Sequence, residues 1–333
     1  MVTQQDFERG PERGSGQASE NTGSSTAALF PGQGVQRQGL GTRWRGTPSW
    51  EVLATVSEAS GYDVEELLLE TGTELLGRTD LAQITVFSAS LLSWLEFRRS
   101  RPDTPVAAFA GHSLGEYTAL VAAGALTVTD GARLVGERGR AMAAVARRAP
   151  GAMAAVMGAT SEEVEALAER VRESGESVWV ANLNSHHQTV IAGTAGAIRR
   201  GAELARDDGW RYTVLPVSAA CHTPLMAPSA EALRPALAAA RFAPVHRPVV
   251  SNVDARAHAE GGDWADRCMR QLVSPVRWLE TLGTLADSMS CDQMIDFGPG
   301  RTLAALARRA LPHVSVASAP MPAPEPAPEL AAK

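Results

Sequence analysis

Between two apolar stretches the chain reads Gly111-His112-Ser113-Leu114-Gly115, and this turn restricts the fold more than any other segment. Residues 106–110 ahead of it form a short apolar run that predicts a buried strand, and residues 114–126 after it predict a helix. A Gly-x-Ser-x-Gly turn from strand to helix is a nucleophile elbow. The glycines suit a sharp turn with close backbone packing. The serine oxygen is presented at a helix N-terminus, where free N–H groups favour developing negative charge. A chain of 333 residues at 44% apolar can bury a large core, and it is expected to form one sizeable α/β domain, or one with an insertion.

The remaining pattern agrees. Residues 26–30 predict a strand, followed by a tight Pro31-Gly32-Gln33-Gly34 loop. Helices are expected over 48–59, 63–70, 81–98 and 129–148, the third strongly apolar. Over 151–217 the order changes to strand 153–157, a helix opening at 161 with Thr160 or Ser161 as N-cap, strands 178–182 and 189–192, helix 195–207 and strand 212–217. The two middle strands are joined by a polar loop over 183–188. This βαββαβ order is that of a ferredoxin-like unit. Alternation then resumes with helix 225–240, strand 248–252, helix 264–287, strand 294–297 and helix 301–310. The expected fold is an α/β-hydrolase-like large domain with a mainly parallel sheet (27–150 and 218–317) interrupted by a ferredoxin-like subdomain (151–217). Residues 1–26, rich in Gly, Ser, Gln and Glu, and the Pro/Ala-rich residues 318–333 are expected to be disordered tails.

Charge and cysteine content narrow the function. The formal net charge is −6, and no concentrated basic stripe interrupts it, which argues against nucleic acid as a partner. Cys221, Cys268 and Cys291 are widely spaced, match no zinc pattern and suit a reducing cytosol. No apolar run approaches twenty residues, so a cytoplasmic protein without membrane association is expected.

A serine nucleophile needs a base. His112 adjoins the serine on a sharp turn and should point away. His186 and His187 fall in the polar loop and lack a third ligand for a metal. His246, His258 and His313 lie in weakly patterned stretches. His222 stands where the chain re-enters the large domain, just before the helix-opening Thr223-Pro224, and domain junctions are where clefts form. From the residues alone it is either a base or a structural histidine.

In order along the chain come Phe30-Pro31-Gly32-Gln33-Gly34, Gly111 to Tyr117, Glu137-Arg138-Gly139, Gly151-Ala152-Met153, Val190-Ile191-Ala192-Gly193, Val217-Ser218 to His222, Gln271-Leu272 to Trp278, and Phe297-Gly298-Pro299-Gly300. Together these resemble the malonyl-CoA:acyl-carrier-protein transacylases and the acyltransferase domains of polyketide synthases, over residues 27–311. The resemblance implies Ser113 as nucleophile, His222 as base and then acid, and the N–H groups of Gln33 and Leu114 as oxyanion hole. It implies that a backbone carbonyl at Gln271, not a carboxylate, orients the histidine; Asp296 is then structural.

Arg138, on residues alone a solvated arginine, matches the family's grip on a malonyl carboxylate, for which a planar guanidinium is suited. Cys221 matches a position that is often phenylalanine in malonyl-selective polyketide enzymes, leaving room for an α-substituent. Asn184, in the loop expected to border the cleft, is assigned to substrate binding, and Glu116 and Tyr117 to packing and capping. The implied reaction moves an acyl unit from coenzyme A to the phosphopantetheine thiol of an acyl carrier protein, in fatty-acid or polyketide synthesis. It uses no metal or redox cofactor, and the chain is expected to be a monomer. A proofreading acyl hydrolase or esterase, a transferase moving another acyl group between carrier proteins, and a carrier-docking module without activity are the alternatives.

Overall fold

The computed structural model describes residues 25–322. Its strands are β1 (Thr26–Phe30), β2 (Val106–Gly111), β3 (Gly151–Met157), β4 (Val178–Ser185), β5 (Gln188–Thr194), β6 (Arg211–Val214), β7 (Val249–Val250), β8 (Ala257–His258), β9 (Gln293–Asp296) and β10 (Ser315–Ser318). The first sheet has the order β10-β9-β1-β2-β7-β8. Its five leading strands pair in parallel, and β8 adds antiparallel to β7 at one edge. The second sheet, β4-β5-β3-β6, is antiparallel. With its two crossing helices this is the strand order of a ferredoxin-like unit. The fold is therefore mixed α/β, with a mainly parallel sheet and a separate antiparallel one.

The helices are α1 (Val52–Ser60), α2 (Val64–Leu69), α3 (Thr79–Ser100), α4 (Gly115–Ala122), α5 (Val128–Arg148), α6 (Ser161–Glu173), α7 (Ala195–Asp207), α8 (Ala227–Ala239), α9 (Trp264–Val273), α10 (Trp278–Gly283) and α11 (Thr302–Ala310). Both faces of the parallel sheet are covered, as such sheets require. Alternation along β1 shows this directly. Ala28 and Phe30 face a core with Trp94, Phe97 and Phe109, whereas Ala27 and Leu29 face one with Trp278, Leu282 and Leu303. A third core, with Val156, Val164, Leu167, Val171 and Ile191, closes the antiparallel sheet. The antiparallel sheet meets the segment between α9 and α10, where the Leu183 N–H bonds the Val276 carbonyl at 2.9 Å and the Val276 N–H bonds the Ala181 carbonyl at 2.9 Å. Among the described residues, no helix is long and apolar enough to cross a membrane.

Three local expectations are corrected. The polar segment over 183–188 is mostly strand: β4 and β5 extend through it and leave only His186-His187 as the turn. The helix expected over 264–287 breaks after Val273. Pro275 pushes Ser274 into an extended conformation (φ −127°, ψ 153°), ending α9 before α10 begins. Strand β10 lies beside β9 and reaches Ser318, so ordered structure extends past the expected start of the C-terminal tail. The rest of that tail, 323–333, and residues 1–24 of the N-terminal one lie outside the described residues. As expected, Thr160 caps α6, with Glu163 completing a capping box.

Candidate active site

Ser113 sits between β2 and α4 at φ +52°, a left-handed conformation that non-glycine residues rarely hold. The flanking glycines are obligatory. A Cβ on Gly111 would lie 1.9 Å from the Gly115 backbone, and one on Gly115 would lie 2.0 Å from the Phe30 carbonyl oxygen. That contact also brings the Pro31–Gly34 loop against the elbow, where the His112 N–H bonds the Phe30 carbonyl at 2.9 Å. The Gln33 and Leu114 N–H groups have no acceptor among the described residues.

His222 comes to the serine from 109 residues away, also in a left-handed conformation (φ +61°). Its Nδ1 is 2.8 Å from the Gln271 carbonyl and its Nε2 is 2.7 Å from Ser113 Oγ. A carbonyl only accepts, so Nδ1 carries the proton and the Nε2 lone pair faces the serine hydroxyl. The ring is buried. Burial, with the charge of Arg138 added, lowers its pKa to about 3, so the imidazole is neutral at physiological pH and available as a base.

Arg138, on α5, is 1% exposed, so the solvated alternative fails. Its Nη1 donates to Gln83 Oε1 on α3. Its Nη2 donates to Gln271 Oε1 at 3.0 Å and to Ser113 Oγ at 3.1 Å, and its guanidinium carbon lies 5.6 Å from the Tyr117 ring centre. All three acceptors are neutral, and Nε has no partner. Among the described residues no carboxylate pairs with it. A buried cation without a counter-ion is costly unless an anion arrives.

Behind the elbow lies a second layer of polar groups. Asn252, just past β7, accepts the Ser113 N–H at 2.7 Å and donates to the Gly111 carbonyl at 2.7 Å. Gln271 Nε2 donates to the Ser113 carbonyl at 2.9 Å and to Glu116 Oε1 at 3.0 Å. The other Glu116 oxygen accepts the Asn252 backbone N–H. Burial pushes the Glu116 carboxyl up to about 8, against the pull of its N–H donors and of Arg138.

A family model for the acyl transferase domain matches residues 28–325. The chain belongs to the acyl transferase family. It is 36% identical over 291 residues to the malonyl CoA-acyl carrier protein transacylase of Bacillus subtilis, covering 86% of this chain and 90% of that one. The crystal structure of malonyl-CoA:acyl carrier protein transacylase from Xanthomonas oryzae pv. oryzae superposes with a TM-score of 0.85 at 38% identity, covering 91% and 96% of the two chains. A malonyl-transacylase solved in complex with its type II PKS acyl-carrier protein superposes with a TM-score of 0.83 at 33% identity, covering 89% and 96%.

The acyltransferase thus brings Ser113, His222, Gln271 and Arg138 into one buried cluster. The Gln33 side chain joins it through a relay: its Oε1 accepts from Thr79 Oγ1 at 2.8 Å, and Thr79 Oγ1 accepts from Gln83 Nε2 at 3.1 Å. Cys221 is buried beside His222, and its thiol is pushed up to about 11 by burial, so it is a small neutral wall. Asn184 does not bond Ser113, His222 or Arg138; its Oδ1 is 2.9 Å from His112 Nε2. The His112 ring packs edge-on against Trp278, with centroids 5.4 Å apart.

His186 and His187 are exposed, and among the described residues no group of three or more His, Cys, Asp or Glu could hold a metal ion. Asp296 accepts the N–H groups of Gly298 and Ala304, each at 3.0 Å, which is a structural use. Sequence reasoning missed Gln83 and Asn252, and it assigned Glu116 to packing. Each has other polar residues close by in the chain, so residue type carries no signal, and only the hydrogen bonds made between distant segments single them out.

Proposed function

We propose that this acyltransferase moves a malonyl unit from coenzyme A to the phosphopantetheine thiol of an acyl carrier protein through an ester on Ser113. The observation that carries this reading is Arg138: a buried guanidinium 3.1 Å from the nucleophile oxygen, with no carboxylate partner. A substrate acid that bonds the guanidinium is thereby held with its carbonyl beside Ser113. The names of the relatives and the carrier complex support the substrate and the partner.

The steps follow from the hydrogen bonds. As Ser113 Oγ attacks the thioester carbonyl, its proton passes to His222 Nε2. The free N–H groups of Gln33 and Leu114 receive the oxyanion, and the Gln271 carbonyl holds the imidazolium through Nδ1. Collapse breaks the carbon–sulfur bond, and the leaving thiolate of coenzyme A takes the proton from Nε2. The carrier thiol then gives its proton to His222, attacks the ester and regenerates Ser113. The malonyl carboxylate also cancels the Arg138 charge, one of the two main influences depressing His222, so the base strengthens when the correct substrate binds. The scheme uses no cofactor besides the thioester itself. The small Cys221 beside the base makes an α-substituted malonyl the next substrate to try.

Mass spectrometry of the intact protein after mixing with malonyl-CoA or acetyl-CoA tests the proposal. A stable malonyl adduct on Ser113 that a holo carrier protein discharges is the expected result. Equal loading by acetyl-CoA would remove Arg138 as selector, and rapid discharge by water alone would make the protein a hydrolase.

A further inference from the structure

The mechanism leaves one buried carboxyl without a task. Glu116 is the second residue of α4, fully buried, and it pairs with no cation among the described residues. Its oxygens instead accept N–H groups from two segments far away in the chain, the Asn252 backbone and the Gln271 side chain. Both segments also touch the reacting pair. Asn252 brackets the serine turn by accepting the Ser113 N–H and donating to the Gly111 carbonyl. Gln271 reaches the Ser113 carbonyl with its amide and His222 Nδ1 with its own carbonyl.

We propose that Glu116 is a positioning residue for acyl transfer: gripping Asn252 and Gln271 from behind the elbow, it fixes Ser113 and His222 relative to each other. The carboxyl stands one residue removed from where a hydrolase triad would place it. It acts on the group that holds the histidine, not on the ring. The chemistry of the two donors selects a carboxyl. A glutamine would turn an NH2 toward one of two N–H groups, leaving a buried donor unpaired and releasing one segment. Misplacement of reacting groups by about 1 Å costs roughly a hundredfold in rate. This inference rests on Ser113 and His222 being the reacting pair.

The test compares Glu116→Gln and Glu116→Asp with the wild type in two assays. One is single-turnover loading by malonyl-CoA. The other is inactivation by phenylmethylsulfonyl fluoride, which engages the serine and histidine without needing malonyl recognition. Glu116→Gln should slow both by roughly 10- to 100-fold, with KM for malonyl-CoA changed less than about threefold. Glu116→Asp, still an acceptor but one methylene shorter, should recover part of the loss. If Glu116→Gln does not fold, Glu116→Asp, which draws the carboxyl back from both donors, carries the test alone, and the same paired slowing by a smaller factor is expected. Wild-type rates in a folded variant, a rise in KM alone, or a lower melting temperature with unchanged kcat would overturn the proposal. A wild-type protein that reacts with the sulfonyl fluoride at Ser113 but takes up no malonyl would sink the transacylase reading, and the inactivation assay would still decide the role of Glu116.

Discussion

Beneath the antiparallel sheet the packed side chains are Val156, Val164, Leu167, Val171 and Ile191, an apolar layer that the two crossing helices close. Beside the parallel sheet the packing is equally apolar until the carboxyl ends of β1, β2 and β7. There it gives way to Glu116, Arg138, Asn252 and Gln271, all buried. The difference follows from topology. Parallel strands all release their chains at the same end, so the loops after β1, β2 and β7 converge on one crevice and bring polar residues from distant segments together. An antiparallel sheet sends alternate loops to opposite ends and gathers no such cluster. Every hydrogen bond to Ser113 or His222 comes from the parallel half. The antiparallel half contributes Asn184, one contact removed from the serine through His112. Ser113, His222 and the guanidinium beside them therefore all lie in the parallel half, and the antiparallel half stands one contact behind them.

The severest way to break this division is at the elbow. Ser113→Ala should lower acyl loading by about 10⁴-fold or more, read by intact mass after malonyl-CoA treatment; residual covalent malonyl elsewhere would relocate the chemistry. Next comes Arg138→Ala, which should weaken malonyl loading by about 2–5 kcal/mol while raising activity toward acetyl-CoA relative to malonyl-CoA, measured as a ratio of kcat/KM values. An unchanged ratio would show that the parallel half does not choose the acid.

Stability against pH sharpens the contrast, because the titrating groups with large shifts at the serine lie on the parallel side. Glu116, raised to about 8 by burial, binds its proton more tightly in the folded protein. Its stabilising protonation is therefore lost as pH rises from the ordinary carboxylate range through 8. His222, lowered to about 3 by burial and Arg138, binds its proton less tightly when folded, so its contribution is lost as pH falls from 6.5 toward 3. The two oppose each other below 6.5. Above 6.5 the His222 contribution is over and that of Asp296, raised to about 6 by burial, is nearly spent, so Glu116 dominates and stability should fall as pH rises to 8, by at most about 1.4 kcal/mol per unit for this group. Denaturant midpoints of wild type and Glu116→Gln over this range would show it; parallel curves would refute it. The smallest effect belongs to the other sheet. Asn184→Ala should cost about 1 kcal/mol of stability through the orphaned His112 N–H and lower kcat/KM for malonyl-CoA less than about tenfold. A loss as large as that of Arg138→Ala would collapse the division of labour.

Legibility in the sequence divides along similar lines. The elbow could be read because strand, turn and helix are adjacent in the chain, and the apolar lead-in of β2 is unbroken. The order of elements over 151–217 was legible for the same reason. The length of β4 was not, because polar residues such as Asn182 and Asn184 are buried on a strand that pairs with the segment around Val276, a partner almost a hundred residues away. Gln271 was reached through the resemblance, since a main-chain carbonyl leaves no residue-type signal. Glu116, Asn252 and Gln83 join only when three segments dock, and no spacing along the chain encodes that meeting.

Ser113 and His222 share one further trait, backbones held at positive φ by their surroundings. In a loosened chain each would relax to an ordinary conformation, releasing about 1–3 kcal/mol of local strain. Asn252, Arg138 and Gln271 hold them there through hydrogen bonds. Catalytic competence is thus expected to be lost before the fold. It should vanish at the first slackening of α9 against the elbow, while the helices and both sheets still persist, so that turnover reports the integrity of the packed seam sooner than any spectroscopic measure of folding.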